Sequence, residues 1–583
     1  MLRKIKLLMA AATLAAAQKP ALTATQGLDG FDDFARLALR DWKCDGFAIA
    51  VIQDGKVILS KGCGLRDVKK NLPVTEKTLF AIGSATKSFT VTAMGTLVDQ
   101  GKLDWDKPVR DYLHDFKMYD SFATERMTPR DLVTHRSGLP RHDLMWYNSP
   151  FSRQELFERL RYLEPNKDFR TTFQYQNLMF MTAGYLAGHV AGTTWEQLVR
   201  KSIFEPLGMT SSNFSVTDMQ KSADYSLPYQ VVNDVVVDMP FRNIDAIGPA
   251  GSINSSIEDM SKYVLMHLAK GKGVVSATNE MQMMIPQMAI SVPSPDKELG
   301  DLSYGMGFFV TSYRGHKFVH HGGNIDGFSA LVAFLPDDKL GLVILTNQNG
   351  SALPAVVAYN VWDRMLGLDQ IDWTARVKQQ RAMGKASEES AKQKGYTTQH
   401  TGTRPSHEIA EYTGEYEHPG YGIVKIEQAG AALKLDYHGL GGVLSHFHYD
   451  VFEVPKDDAN PFSEEKVQFH TNLAGDIDSL GIPFESTLKD ITFVKLGDRS
   501  MTQKTFLQPL TGEFLRGPIT AVVALKGDTE LTLTMPGQPV YNLIPVRGTK
   551  FNIKELNGYS VEFKGDDLVF YQPQGTFSAA RKK

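Results

Sequence analysis

Ser84 and Lys87 are the residues of this sequence whose types and spacing best suit covalent chemistry. The apolar residues between Phe89 and Val98 recur at helical spacing, so Ser84 is predicted to open a buried helix. Residues three apart share a helix face, which lets the Lys87 amine reach the Ser84 hydroxyl, and the first helical amides favour a developing negative charge. A serine hydroxyl needs a neighbouring base, and lysine is such a base once desolvation or nearby charge lowers its pKa.

Tyr175 and Asn177 precede a second apolar segment with helical spacing. Residues two apart in an extended segment point the same way, so both side chains are predicted to face one cleft. A phenol beside an ammonium can carry a proton, and a carboxamide can orient the lysine and a substrate carbonyl. Considered alone, core packing for Tyr175 and helix capping for Asn177 are the more ordinary roles.

His321, Gly322 and Gly323 form a glycine-rich turn that leads, through Asn324, into a strand-like run ending at Pro336. Glycines allow a substrate to approach the backbone closely. We expect the strand edge at Gly323 and Asn324 to supply a second oxyanion amide beside that of Ser84, with His321 donating to the substrate.

The Ser-x-x-Lys and His-x-Gly patterns also occur elsewhere by chance, the latter at His418-Pro419-Gly420. Ser294 to Lys297 repeats the Ser-x-x-Lys spacing, but the prolines at 293 and 295 predict a loop that cannot align the pair. The adjacent His320 and His321 have no carboxylate or cysteine at ligand spacing, so neither a metal site nor any cofactor is predicted. The prediction of an active site therefore depends on the presence of all three motifs in one chain.

In this order and at these separations, Ser84-x-x-Lys87, Tyr175-x-Asn177 and His321-x-Gly323 resemble the three motifs of the serine β-lactamase and penicillin-binding-protein family. That family contains class C β-lactamases, DD-peptidases, D-aminopeptidases and esterases (S12-type peptidases). The resemblance extends to the stretches 128–140, 201–209 and 248–263 and covers about 340 residues. It implies an α/β (α+β) sandwich with an antiparallel sheet and a helical subdomain, with Ser84, Lys87 and Tyr175 catalytic in the cleft between them.

The third motif departs from the pattern of many β-lactamases and DD-peptidases, which carry lysine at its first position. His321 is mostly neutral at pH 7 and cannot offer that charge to a substrate carboxylate. The His-x-Gly form resembles instead the aminopeptidase, esterase and amidase branches of the family, and this resemblance implies a peptidase or amidase acting through an acyl-enzyme on small peptides, including those with D-residues. An esterase, a weak β-lactamase, an acyl transferase and a penicillin-binding sensor without turnover remain the alternatives.

The C-terminal part of the chain has a different character. A Lys-, Gln- and Ser-rich linker, with room for one exposed helix, is predicted over 373–407 after a hydrolase domain at 25–372. Short alternating runs closed by Gly, Asp, Asn or Pro then predict an all-β tail. Thr413-Gly414-Glu415-Tyr416 recurs as Thr511-Gly512-Glu513-Phe514, 98 positions later, which indicates two related β units at 408–498 and 499–583. Such strands hide their edges as a lipocalin-like barrel or as two packed sheets.

The net charge and the N-terminal sequence limit which partners and which cellular location can be expected for this protein. With 63 Lys and Arg against 66 Asp and Glu, the formal charge of -3 provides no field to hold nucleic acid. Residues 1–24 show a basic start, a short apolar stretch and small residues, which is the pattern of a secretion signal and predicts export without a stable membrane span. Cys44 and Cys63 flank a hairpin predicted around Asp54-Gly55, where either a disulfide or two buried thiols fit. The oligomeric state is left open.

Overall fold

The structure is a computed structural model that describes residues 26–292, 294–394, 398–457, 460, 462–497 and 499–583. The predicted secretion signal at 1–24 lies outside the described residues. No helix in the described part of the chain has the length and apolar character that crossing a bilayer requires.

The hairpin predicted around Asp54-Gly55 is confirmed. Both turn residues have positive φ, 50° and 74°, as a two-residue turn between twisted strands requires. A register shift between Val51 and Ile52 places Cys63 opposite Phe47. Both Cys44 and Cys63 are free thiols, and burial raises the Cys44 pKa to about 12.

Thirteen strands lie in the described residues before the linker. They are β1 Gly46–Gln53, β2 Lys56–Asp67, β3 Leu72–Pro73, β4 Phe80–Ala81, β5 Tyr229–Val232, β6 Val235–Asp238, β7 Asn254–Ser255, β8 Met288–Ala289, β9 Ser303–Tyr304, β10 Phe309–Tyr313, β11 His316–Ile325, β12 Phe328–Leu335 and β13 Leu340–Thr346. Nine of them form one antiparallel sheet in the order β3-β2-β1-β13-β12-β11-β10-β9-β8. Strands β4 and β7 pair separately, as do β5 and β6.

Helices cover both faces of this sheet, so its central strands are apolar throughout. In β1, Ala48 and Ala50 join a core on the side of the helical subdomain, while Phe47 and Ile49 join a core on the opposite side. Every residue of β12 and β13 is buried. This arrangement confirms the predicted α/β sandwich and explains the unbroken apolar runs that form its centre.

The helices before the linker are mostly short. The longer ones are Phe31–Asp41, Thr86–Asp99, Asn177–Ala191, Ile257–Leu268 and Leu353–Met365. The shorter ones are Ser121–Arg126, Pro129–Leu132, Arg153–Arg159, Trp195–Val199, Glu205–Leu207, Val216–Met219, Gly248–Gly251 and Ala277–Met283. Helices Phe31–Asp41 and Leu353–Met365 pack on one face of the sheet, and the Thr86–Asp99 and Asn177–Ala191 helices belong to the other.

The linker begins with the helix Trp373–Lys394. Its first turn is packed, because Trp373 is buried and its ring lies 4.6 Å from that of Tyr359. Arg376 forms an ion pair of 2.7 Å with Glu298. The start of the segment is therefore attached to the sandwich rather than fully solvated.

The tail consists of two closed eight-stranded antiparallel barrels, which confirms the predicted lipocalin-like all-β region. The first, preceded by the helix Ile409–Tyr412, contains β14 Gly414–His418, β15 Gly422–Ala429, β16 Ala432–Tyr437, β17 Leu440–His448, β18 Val451–Glu453, β19 Lys466–Thr471, β20 Ile477–Ile482 and β21 Ile491–Lys495. The second, preceded by the helix Lys504–Leu507, contains β22 Gly512–Arg516, β23 Ile519–Lys526, β24 Glu530–Thr534, β25 Tyr541–Arg547, β26 Lys550–Ile553, β27 Ser560–Lys564, β28 Asp567–Gln572 and β29 Gly575–Arg581. Each β unit closes by itself.

The first barrel packs against the sandwich beside the loop 141–151. The Tyr421 hydroxyl lies 2.7 Å from the Nδ1 of His142, and the Tyr437 hydroxyl donates to the Leu144 carbonyl at 2.8 Å. The carboxylate of Glu485 accepts from the His142 amide. The barrel and the helical subdomain thus share one continuous apolar core.

Candidate active site

Ser84 lies in the turn Gly83–Ala85, which runs directly into the helix Thr86–Asp99. Residues Thr86 to Leu97 of this helix are buried, whereas Ser84 is only partly buried. The hydroxyl is therefore reachable from the cleft while its supporting helix is fixed by packing. This is the helix start that the apolar spacing predicted.

Lys87 is completely buried beneath Ser84. Its Nζ lies 3.0 Å from the Ser84 Oγ, 2.7 Å from the Asn177 Oδ1 and 2.8 Å from the carbonyl oxygen of Ala250. Burial lowers the pKa of Lys87 well below its usual value, the nearby Arg141 lowers it further, and Asp143 partly opposes both.

The three contacts of Lys87 fit an uncharged amine. Such an amine has two N–H donors and one lone pair. The N–H groups can donate to the Asn177 and Ala250 oxygens, which leaves the lone pair to accept the Ser84 hydroxyl proton. This arrangement prepares Lys87 to act as a base toward Ser84.

Tyr175 faces the same two residues. Its ring centroid lies 4.8 Å from the Lys87 Nζ. Burial raises the pKa of Tyr175 above its usual value, with the neighbouring Ser84 hydroxyl and Arg141 acting in the opposite direction. The phenol is therefore protonated at neutral pH and suits the role of a proton carrier more than that of a primary base.

Asn177 is the first residue of the helix Asn177–Ala191, but it does not cap that helix. The cap is Gln176, whose side chain accepts from the Leu178 amide at 2.8 Å. The Asn177 carboxamide is consequently available to accept from Lys87 at 2.7 Å and to donate to the Asp143 carboxylate at 3.0 Å.

Gly323 is where β11 crosses the Ser84 turn. A Cβ added there would lie 1.8 Å from the Ile82 carbonyl oxygen and 3.1 Å from the Ser84 amide nitrogen. A Cβ on Gly83, whose φ is +50°, would lie 2.8 Å from the Asn324 nitrogen. Both glycines are thus required by the close approach of two backbones, rather than by approach of a substrate, and they bring the Asn324 amide beside that of Ser84.

His321 is fully buried on the same strand, and its ring is 6.3 Å from that of Tyr175. Its Nδ1 lies 2.6 Å from the Gly322 carbonyl oxygen and its Nε2 lies 3.0 Å from the Tyr304 hydroxyl. Since a carbonyl can only accept, Nδ1 carries the proton and Nε2 accepts from Tyr304. Burial lowers the His321 pKa to about 3, with Lys87 adding to the effect. The ring is neutral and has no nitrogen left for a substrate, in contrast to the donor role expected from the sequence.

Three groups of the site had no signal in the sequence. Ala250 contributes a backbone oxygen from the stretch 248–263, and nothing in that stretch distinguishes it. Asp143 accepts from Asn177, and its other oxygen accepts from Arg141 Nε. The Arg141 guanidinium carbon lies 5.2 Å from the centre of the Tyr175 ring. Arg141 and Asp143 belong to the loop that the first barrel supports.

Among the described residues, no group of three or more His, Cys, Asp or Glu side chains is arranged to hold a metal ion. Ser294, in the second Ser-x-x-Lys pattern, lies in a segment without helix and is exposed. Its hydroxyl donates to the Asp296 backbone carbonyl at 3.2 Å, so this pair lacks the alignment seen at Ser84.

A mixed α/β sandwich with a Ser-x-x-Lys turn in its cleft is the architecture of serine β-lactamases and penicillin-binding proteins. The chain belongs to the beta-lactamase family, whose model matches residues 31–364. A second model, a domain of unknown function called DUF3471, matches residues 398–495, which include the first barrel. The octameric penicillin-binding protein homologue from Pyrococcus abyssi shares the fold, with a TM-score of 0.53 at 19% identity over 94% of this chain and 99% of that one.

Relatives in sequence come from fungi and bacteria. Unguisins hydrolase ungD of Aspergillus violaceofuscus is 30% identical over 70% of this chain and 78% of its own length. The ungD' protein of Aspergillus campestris is 29% identical over 67% and 76%. Protein flp of Staphylococcus aureus is 25% identical over 54% of this chain and 62% of its own.

Proposed function

We propose that this protein is a hydrolase that cleaves amide or ester bonds through a covalent acyl-enzyme on Ser84, with small peptides, including those with D-residues, as the favoured substrates. The observation that carries the proposal is the buried Lys87 amine, 3.0 Å from the Ser84 Oγ, whose three hydrogen-bonding neighbours are all uncharged. Relatives named as hydrolases add support.

In the acylation step, the Ser84 Oγ attacks the substrate carbonyl carbon while its proton passes to the Lys87 Nζ. The Ser84 and Asn324 amides stabilise the negative charge on the carbonyl oxygen. As the bond to the leaving group breaks, the proton reaches that group through the Tyr175 phenol, and Lys87 becomes neutral again. Deacylation repeats the sequence with water as the nucleophile, so the Ser84 hydroxyl is restored.

A neutral His321 favours a peptidase, amidase or esterase over an efficient β-lactamase. With its pKa at about 3, the ring carries no charge with which to bind a substrate carboxylate at neutral pH. Short peptide amides and esters do not require that charge.

The test is labelling by a fluorophosphonate, followed by peptide mapping and a screen of L- and D-amino-acid amides, short esters and penicillin. We expect label on Ser84, and a loss of turnover of at least about 1,000-fold in Ser84→Ala with the fold intact. Ser294→Ala is the matched control, because it removes the serine of the other Ser-x-x-Lys pattern, and it should match the wild type.

Three results would contradict the proposal in different ways. Full activity in Ser84→Ala would exclude this nucleophile. One equivalent of product per protein without further turnover would indicate a penicillin-binding sensor. Transfer products that dominate when an amine or alcohol is added would indicate an acyl transferase.

A further inference from the structure

The stretch from Thr128 to Pro140 is anchored firmly but has no part in the proposed chemistry. Thr128 and Asp131 form a reciprocal capping box at the start of the helix Pro129–Leu132. The buried Asp131 carboxylate also binds Arg136 at 2.6 Å and Arg170 at 2.7 Å. The ion pairs of the buried Asp131 therefore fix the turn that follows this helix.

That turn presents His135 to the backbone on both sides of Tyr175. The His135 carbonyl accepts from the Gln174 amide at 2.8 Å, and its Nδ1 accepts from the Gln176 amide at 2.9 Å. The Gln176 side chain, in turn, donates to the Pro140 carbonyl at 2.6 Å. The amides of Gln174 and Gln176, one on each side of Tyr175, are thus bound by one residue.

The His135 ring also lies against the Tyr175 side chain, with ring centroids 4.3 Å apart. Because Nδ1 accepts from an amide, the ring proton is on Nε2, which has no hydrogen-bond partner among the described residues although the side chain is fully buried. The backbone of His135 is left-handed, with φ of 57°, a conformation that most side chains avoid. A strained backbone conformation of this kind persists only where the surrounding structure holds it, so packing around His135 maintains its left-handed φ.

We propose that His135 is a positioning residue for Tyr175: it clamps the amides of Gln174 and Gln176 and supports the phenol against Ser84 and Lys87. The inference deepens the proposed function and rests on it, since it assigns a role to the residue behind the proton carrier. His135 does not touch the reacting atoms. Its contribution is to keep the Tyr175 hydroxyl within reach of them.

Two variants separate the clamp from the fold. Asn and Gly both tolerate positive φ, but only Asn carries an acceptor, its Oδ1, at the position of the histidine Nδ1. We expect His135→Gly to lower kcat about 10- to 100-fold with KM little changed, because a small displacement of a catalytic group has effects of this size. His135→Asn should recover most of that loss.

The Tyr175→Phe background tests whether His135 acts through the phenol. A positioning residue should have little additional effect once the hydroxyl is gone, whereas a general loss of structure would be additive. Hydrogen exchange of the peptide spanning residues 172–178 gives a second readout that needs no turnover. We expect faster exchange in His135→Gly than in the wild type or His135→Asn.

The proposal is overturned if His135→Gly exchanges at the wild-type rate over 172–178, or if it keeps the wild-type kcat. Additive losses in the double variant would also overturn it. If His135→Gly does not fold, His135→Asn still tests the acceptor role. An exchange rate over 172–178 and a kcat equal to those of the wild type support that role, whereas loss of structure in both variants counts against it. Absence of Ser84-dependent turnover in the wild type would defeat the proposed function, while the exchange result would still decide the clamp.

Discussion

Gly323→Ala offers the sharpest test of how the site is assembled. The added Cβ would lie 1.8 Å from the Ile82 carbonyl oxygen, whereas real Cβ contacts essentially never fall below 3.0 Å. The strand and the Ser84 turn must therefore separate by about 1.2 Å, which is the difference between these two distances. The atoms concerned are backbone atoms on both sides, so no flexible side chain can absorb the movement.

This separation should affect both activity and stability. The Ser84 and Asn324 amides, which are proposed to bind one carbonyl oxygen together, would move apart, and losing one oxyanion donor typically lowers kcat by about 100- to 1,000-fold. Overpacking of a close backbone crossing should cost about 1 to 3 kcal/mol of unfolding free energy. The measurements are the rate of fluorophosphonate labelling, kcat/KM on a responsive ester or amide, and urea unfolding.

Gly322→Ala is the matched control, because a Cβ at that position would meet only the Ala330 carbonyl oxygen at an ordinary 3.6 Å. It should retain activity and stability close to those of the wild type. Equal labelling rates for the 322 and 323 variants would refute the reasoning, since the close crossing at Gly323 would then have no bearing on Ser84.

Three further outcomes are expected. The acid limb of kcat/KM should rise with pH as Lys87 loses its proton, with a midpoint well below 10.5, and a midpoint near 10.5 would contradict the assignment. Lys87→Met should remove activity, because no base is then left beside Ser84. Because the folded pKa of His321, about 3, is below its unfolded value of 6.5, the unfolded state binds the extra proton and stability falls as pH decreases from 6.5 toward 3. His321→Gln should therefore lose about 2 kcal/mol less than the wild type between pH 7 and pH 5 in urea unfolding, and an identical pH dependence would argue against a buried neutral ring. Tyr421→Phe removes the hydroxyl that meets His142 and should cost about 1 to 2 kcal/mol, whereas the exposed Tyr449→Phe should cost almost nothing; equal Tm values for the two would show that this barrel contact contributes no stability.

Local periodicity explains why much of this protein could be predicted. The spacing of Ser84 and Lys87 places both on one helix turn whatever surrounds that helix, and Asp54-Gly55 specifies its hairpin through the φ angles of two residues. The 98-residue repeat predicted two related β units, because the same strand and turn pattern appears twice.

Closure of the tail was decided by pairing between distant strands. Tyr416 pairs with Lys495 in the first barrel, and Phe514 pairs with Arg581 in the second, so each unit seals its own edges. The alternating pattern of a strand specifies which residues face inward but not which distant strand becomes its neighbour. The choice between one barrel, two barrels and packed sheets therefore required the tertiary structure.

What the sequence by itself determined is which groups to propose for the chemistry, Ser84, Lys87 and Tyr175, and the local geometry of the first two. Only the tertiary structure decided their surroundings: the Ala250 carbonyl that completes the contacts of Lys87, the backbone crossing at Gly323, and the Tyr304 hydroxyl that occupies His321. The physical reason is the distance along the chain over which each feature is determined. Helix and turn geometry is fixed by neighbours a few residues apart, whereas desolvation, and with it the lowered pKa of Lys87, exists only after segments far apart in the chain have packed together.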